Sequence, residues 1–328
     1  MPSRHRTFIV LLSLSLLALI SLVIGLGAGS IDVSLSDLSP FASDTPSLAA
    51  EIIRDLRLPR VLGAFACGGL LALAGSLMQV LLRNPLADPY VLGISGGASV
   101  GALLAMLGGL ALVFVNLFAF IGAFIAMIMV FGLAHGDNSW TRTRLLLTGI
   151  IVASGCGAIV ALILSITPEA QLRGMLFWLM GDASHISNPW PAVLLLLLGL
   201  LAALPFAREL NLLARGDVLA QSLGVSVLRT KRLVYAMASL FTAVAVTTAG
   251  AIGFIGLVVP HLMRMAIGND QRLLLPASAL FGGSLLLLAD TLARTVIAPQ
   301  QLPVGVLTVL LGVPVFLFLL GRQPGGKS

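Results

Sequence analysis

The groupings in this 328-residue chain that could do chemistry are few, and each can be weighed against what that chemistry requires. The run Gly321-Arg322-Gln323-Pro324-Gly325-Gly326-Lys327-Ser328 satisfies G-x-x-x-x-G-K-S, the spacing of a loop that cradles nucleotide phosphates. Such a cradle needs a strand to deliver the loop and a helix after the Lys to aim its amides at the anion, and here nothing follows the Ser. The match is set aside, and ATP hydrolysis is expected from another chain. Gly93-Ile94-Ser95-Gly96 has the G-x-S-G form of an intramembrane serine nucleophile, with His261 as candidate base. Serine is ordinary in packed membrane helices, and a His following Pro260 commonly satisfies backbone that the proline frees. Both residues therefore read first as structural, with a protease or a haem-ligand role for His261 as weaker alternatives. Cys67 and Cys156 lie in separate apolar runs, away from any C-x-x-C pair, so neither a disulfide framework nor a metal site is expected.

Carriers driven by protons or sodium keep carboxylates near the bilayer midplane. Of the 13 acidic residues, Asp290 lies close to the outer end of its apolar run, and the others fall in loops or at helix ends. A proton-coupled secondary transporter is the alternative reading. The favoured one is a route with uncharged walls, powered from elsewhere.

The elements that must position these residues follow from composition. The chain is 58% hydrophobic and 10% charged, with a mean hydropathy of +1.07. A soluble domain carries about a quarter of its residues charged, and a disordered one needs low hydrophobicity. What remains is an all-α polytopic membrane protein. The net charge of +6 then says little about nucleic acid, and the placement of each cation says more.

Crossing hydrocarbon takes roughly 20 apolar residues, so uncharged runs convert into spans. Phe8–Ala28, Val61–Leu82, Leu145 to about Ile166 and Pro189–Ala207 each supply one. Tyr90–Ala134 supplies two, turning at Gly108 and Gly109. Gly174–Gly181 is too short to cross and reads as an interfacial or re-entrant helix with Trp178 near the headgroups. Leu233–Pro260 divides at its glycines into Leu233 to about Ala249 and a short span from about Phe254 to Ala266. Leu275–Thr291 and Val304–Leu320 complete ten predicted transmembrane helices in one domain, residues 1–328.

With the amino terminus inside, only Arg54, Arg57, Arg60, Arg173 and Arg294 of the 19 Lys and Arg fall outside, which favours both termini in the cytoplasm. Gly93, Gly97 and Gly101 form a small-residue face suited to close helix packing. Two features exceed what packing needs. Arg54, Arg57, Arg60 and Arg294 stand against the orientation bias, as either snorkelling side chains or a seat for an acidic partner. The cytoplasmic loop of about 208–232 contains two short helical stretches broken at Gly216 and Gly224, suited to a partner or to the membrane surface.

Taken together, Arg57-Leu58-Pro59-Arg60, Arg83-Asn84-Pro85-Leu86-Ala87-Asp88-Pro89, Gly93-Ile94-Ser95-Gly96-Gly97-Ala98, Ser222-Leu223-Gly224-Val225, Gly253-Phe254-Ile255-Gly256-Leu257-Val258-Val259-Pro260-His261 and Leu302-Pro303-Val304-Gly305-Val306 resemble, in order, the FecCD-type permeases of bacterial ABC importers for ferric siderophores, haem and cobalamin. The resemblance implies a cobalamin-importer-like fold of ten transmembrane helices, in the inner membrane. It implies a homodimer with two ATPase subunits and a periplasmic binding protein, passing a metal chelate and using no cofactor of its own. By resemblance, Arg57, Arg60 and Arg294 receive carboxylates of the binding protein. Asn84, Leu86 and Thr143 belong to cytoplasmic gates, with Arg142 an unusual neighbour for the last. Leu212, Leu213, Arg215, Gly216, Asp217, Ser222, Leu223 and Gly224 belong to the helices that couple to the ATPase.

Overall fold

Hydrocarbon offers backbone N–H and C=O groups no partner, so a spanning segment must satisfy them within itself, as a helix does. The computed structural model describes residues 4–29, 48–134 and 141–322, and all regular structure among them is helical. The first third comprises α1 (Arg4–Gly27), α2 (Leu48–Ile52), a π turn (Ile53–Arg57), α3 (Leu58–Leu82) and α4 (Ile94–Leu107). The middle comprises α5 (Leu112–Ala134), α6 (Arg142–Ile166), α7 (Glu169–Met180), α8 (Trp190–Ala203), α9 (Ala207–Arg215) and α10 (Asp217–Ser222). The last third comprises α11 (Val227–Ala249), α12 (Ile255–Ile267), α13 (Gln271–Thr295) and α14 (Val304–Arg322).

Each of the ten apolar runs coincides with a helix. Among the described residues, seven stretches are long and apolar enough to cross a membrane, namely α1, α3, α5, α6, α8 with α9, α11 and α13. The other three, α4, α12 and α14 as far as Phe318, are shorter apolar helices. The shortness of α4 has a visible cause. Pro89 packs on Gly256, which itself packs on Gly75 of α3, so after Leu82 the chain climbs back by about seven residues of helix, roughly 10 Å. A 3-10 turn at Pro89–Leu92 then leaves α4 only the remaining depth to cover.

Among the boundaries that shift are those of α11, α7 and α8. α11 begins at Val227 rather than Leu233, carrying Arg229, Lys231 and Arg232 on helix beyond the apolar run, because helical hydrogen bonding continues where hydropathy stops. α7 reaches back from Gly174 to Glu169, whose carboxylate suits a helix N-terminus. The sixth span and the first loop helix form one kinked rod. α8 ends at Ala203, a 3-10 turn at Leu204–Phe206 accommodates Pro205, and α9 follows directly. The octet beginning at Gly321 lies, from Gln323 onward, outside the described residues, as does Lys327.

The core is built around α3, of whose most apolar stretch 89% is buried. Its glycines let α12 and α13 approach at backbone distance. A Cβ at Gly75 would lie 1.8 Å from the Gly256 carbonyl oxygen, and one at Gly68 would lie 2.2 Å from that of Gly282. Gly97 and Gly101 do the same for α4 against α5, at 2.3 Å from the Gly122 oxygen and 2.0 Å from the Phe118 oxygen. Gly93 does not share that face. It caps α4 at φ 73 and packs on Val152 and Ala153 of α6.

Candidate functional site

Arg57, Arg60 and Arg294 meet at the end of the bundle expected to face outward, but their guanidiniums turn inward. The last turn of α1 leaves carbonyls without helical partners, and Arg57 and Arg294 supply the donors. Arg57 Nη1 donates to Leu26 O (2.8 Å) and Gly27 O (3.1 Å), and Arg294 Nη2 donates to Gly25 O. Arg60 grips Asp290 with two nitrogens, Nε at 2.9 Å from Oδ2 and Nη2 at 2.8 Å from Oδ1. Its Nη1 donates to Gln301 Oε1 at 2.8 Å. Asp290 is fully buried, and the three arginines are each at most 9% exposed. Arg54 behaves differently, with its side chain 87% exposed beside Asp55. The sequence placed the cations at this end, yet carried no sign that an aspartate 230 positions away would engage one of them.

At the opposite end, α3 stops at Arg83, whose left-handed backbone (φ 48) turns the chain away. Asn84 Oδ1 then accepts from Leu86 N at 2.9 Å, closing a tight exposed turn that presents Leu86 to solvent. Thr143 is exposed in the first turn of α6, which Thr141 caps by accepting from Arg144 N. The loop helices pack next to this turn. Leu213 is buried, Leu212 is half-buried and Arg215 is exposed. Gly216 makes the elbow between α9 and α10 at φ 141, and Gly224 turns the chain towards α11 at φ 82. Ser222 Oγ donates to Leu219 O, while Leu223 is exposed together with Val218, which the sequence reading passed over.

Asp217 sits at that elbow between two cations. Oδ1 pairs with Arg83 Nη2, and Oδ2 accepts from Lys231 Nζ at 2.7 Å. Arg83 Nε also donates to Leu213 O at 2.9 Å. Burial alone would raise the Asp217 pKa, but the Lys231 hydrogen bond and the charges of Lys231, Arg83 and Arg142 outweigh it and hold the carboxyl below its ordinary 3.8. Beside this group lies a recess of about 630 Å³ whose lining includes Gln79, Arg83, Asn211, Arg264 and Gln271. Asn211 bridges α9 to the start of α13, donating to Asp270 Oδ1 at 2.8 Å and accepting from Gln271 N at 2.9 Å.

Both the sequence and the overall fold of this chain recur in known proteins. Residues 16–322 match the FecCD transport family. The chain belongs to that family. The hemin transport system permease HmuU of Yersinia pestis is 42% identical, over 97% of both chains. The cobalamin import system permease BtuC of Halobacterium salinarum is 40% identical, over 88% of this chain and 78% of its own. A solved structure titled as an inward-facing conformation of a metal-chelate type ABC transporter superimposes with a TM-score of 0.84 at 31% identity, covering 97% of this chain and all of the other. The FecCD family is one of transport permeases, so the protease and proton-coupled carrier readings lose their support. On the FecCD chain, Ser95 is simply an early α4 residue whose carbonyl accepts from Ser99 Oγ, and His261 stacks edge-on against Phe316 of α14.

Proposed function

We propose that this chain is the membrane subunit of an ABC importer carrying a large metal chelate, of the haem, cobalamin or ferric-siderophore class, from periplasm to cytoplasm. It would sit in the inner membrane as a homodimer with ten crossings per copy and both termini cytoplasmic. Two ATPase subunits and a periplasmic binding protein would complete the machine. The observation that carries this reading is the family match over nearly the whole chain, with relatives named for hemin and cobalamin at 42% and 40% identity. Ser154, Gly155, Gly157 and Ala158, exposed small residues of α6 that suit packing against another helix, support the homodimer.

In this reading the outer arginine end receives the loaded binding protein. Arg54 offers a freely presented cation, while Arg57, Arg60 and Arg294 shape and charge the surface from just beneath. The turn Asn84–Leu86 and the start of α6 at Thr143 form the cytoplasmic gates. The elbow α9–α10 seats on the ATPase, with Val218, Leu219 and Leu223 as its exposed apolar face. ATP-driven closure of the ATPase pair moves that elbow and alternates access. Each such step requires contacts that differ between the two states.

The test is reconstitution in vesicles with candidate ATPase and binding proteins, supplying haem, cobalamin or a ferric siderophore. ATP-dependent uptake of one chelate, stimulated by the loaded binding protein, is the expected result. Accumulation driven by an ion gradient without ATP would overturn the proposal.

A further inference from the structure

We infer that Asp217 is the positioning residue through which the coupling helices hold the gate, with Arg83 as its link to the Asn84–Leu86 turn. This rests on the coupling and gate roles proposed above and adds the connection between them. The geometry is specific. Arg83 is at once the residue that ends α3, the residue immediately before the gate turn, and the donor to both Leu213 O on α9 and Asp217 on α10. A displacement of the elbow must therefore drag the start of the gate turn or break two bonds to one guanidinium. Lys231 holds the other carboxylate oxygen, so the elbow is fixed to α11 as well. Arg142 lies within electrostatic range of both Arg83 and Asp217 and immediately precedes Thr143, so the second gate segment feels the same carboxylate.

Two further features suit transmission rather than simple anchoring. α9 continues α8 through the turn at Pro205, so the elbow is mounted on a rod rather than on a slack loop. The recess of about 630 Å³ beside Arg83 gives this side chain and the turn room to move. With both oxygens occupied inside its own chain, Asp217 works on the gate and not as a contact offered to the ATPase.

The experiment uses the complete importer in proteoliposomes and reads uptake per ATP hydrolysed. For Asp217→Asn and Arg83→Gln this ratio is expected to fall about tenfold, a coupling loss of ordinary size, with Asp217→Glu recovering most of it. An unchanged ratio overturns the inference, whether both rates stay normal or fall together, because a purely structural role lowers both alike. A second measurement covers poorly folding variants. In a Cys156→Ser background, spin labels at Leu86→Cys and Val218→Cys report gate and elbow. On ATP binding both labels should shift in the parent, and only the elbow label should shift with Asp217→Asn. A gate label that still moves in that variant overturns the inference. Absence of ATP-driven uptake in the parent importer would instead count against the proposed function.

Discussion

A cation placed outside against the orientation bias invites a partner, and for Arg60 the partner is already in the chain. Its bidentate bond to Asp290 is buried on both sides, and Gln301 takes a remaining donor. Removing Arg60 leaves Asp290 in a low-dielectric site with Arg294 Nε, 4.0 Å away, as its remaining counter-charge, and removing Asp290 leaves two buried cations without theirs, at a cost of up to about 3–5 kcal/mol, whereas removing both members costs less. Arg60→Ala and Asp290→Ala are each expected to lower thermal stability in detergent sharply, and the double variant to recover part of the loss. Equal losses in all three would remove the ion pair as the cause. Arg54→Ala, on an 87% exposed side chain, is expected to leave stability unchanged and to weaken the salt-sensitive docking of the binding protein. Asp217 gives a pH expectation with a definite sign. Its folded pKa is depressed, so its stabilisation is complete above the ordinary 3.8 and is lost only as pH falls through the lower folded value. Uptake per ATP should therefore show no titration from Asp217 between about pH 5 and 8.

At the scale of the helix, hydropathy located the ten apolar elements but could not say which glycines touch backbone. Gly75 and Gly132 look alike in the sequence, each a glycine inside an apolar run. In the fold, a Cβ on Gly75 would strike the Gly256 carbonyl at 1.8 Å, while one on Gly132 would meet nothing within 4 Å. Neither atom at the Gly75 contact is the far end of a flexible side chain, so α3 and α12 would have to move apart. Gly75→Ala is expected to destabilise by about 1–3 kcal/mol or more. Gly132→Ala is expected to be neutral or to stabilise by up to about 1 kcal/mol through helix propensity. Melting curves of the purified variants check both, and equal behaviour would mean that backbone approach does not hold the core together. The re-entrant course of residues 83–92 was hidden for a related reason. It is set by Pro89 meeting Gly256, a contact between distant parts of the chain that no local periodicity records.

Over the whole molecule, the sequence carried the class and the order of elements, because hydrocarbon imposes both on composition. It could not show which surface would be left for the second copy of the proposed homodimer. α6 is the least buried of the seven long spans, with 17% of its most apolar stretch covered. Its uncovered surface includes Ser154, Gly155, Gly157 and Ala158 in mid-helix, and nothing lies within 4 Å of a Cβ at either glycine. Lipid gains nothing from small residues, whereas another helix gains close van der Waals packing, so this surface suits protein better than acyl chains. In a two-fold dimer one patch meets its own copy, and a cysteine near the axis faces itself. Gly155→Cys in a Cys156→Ser background is therefore expected to form covalent dimers in native membranes under mild oxidation. Leu12→Cys, on the exposed surface of α1, should remain monomeric. Cys67 is fully buried and does not interfere. Cross-linking at Leu12 but not at Gly155 would move the interface to α1, and cross-linking at neither would leave the homodimer without a surface on these two helices.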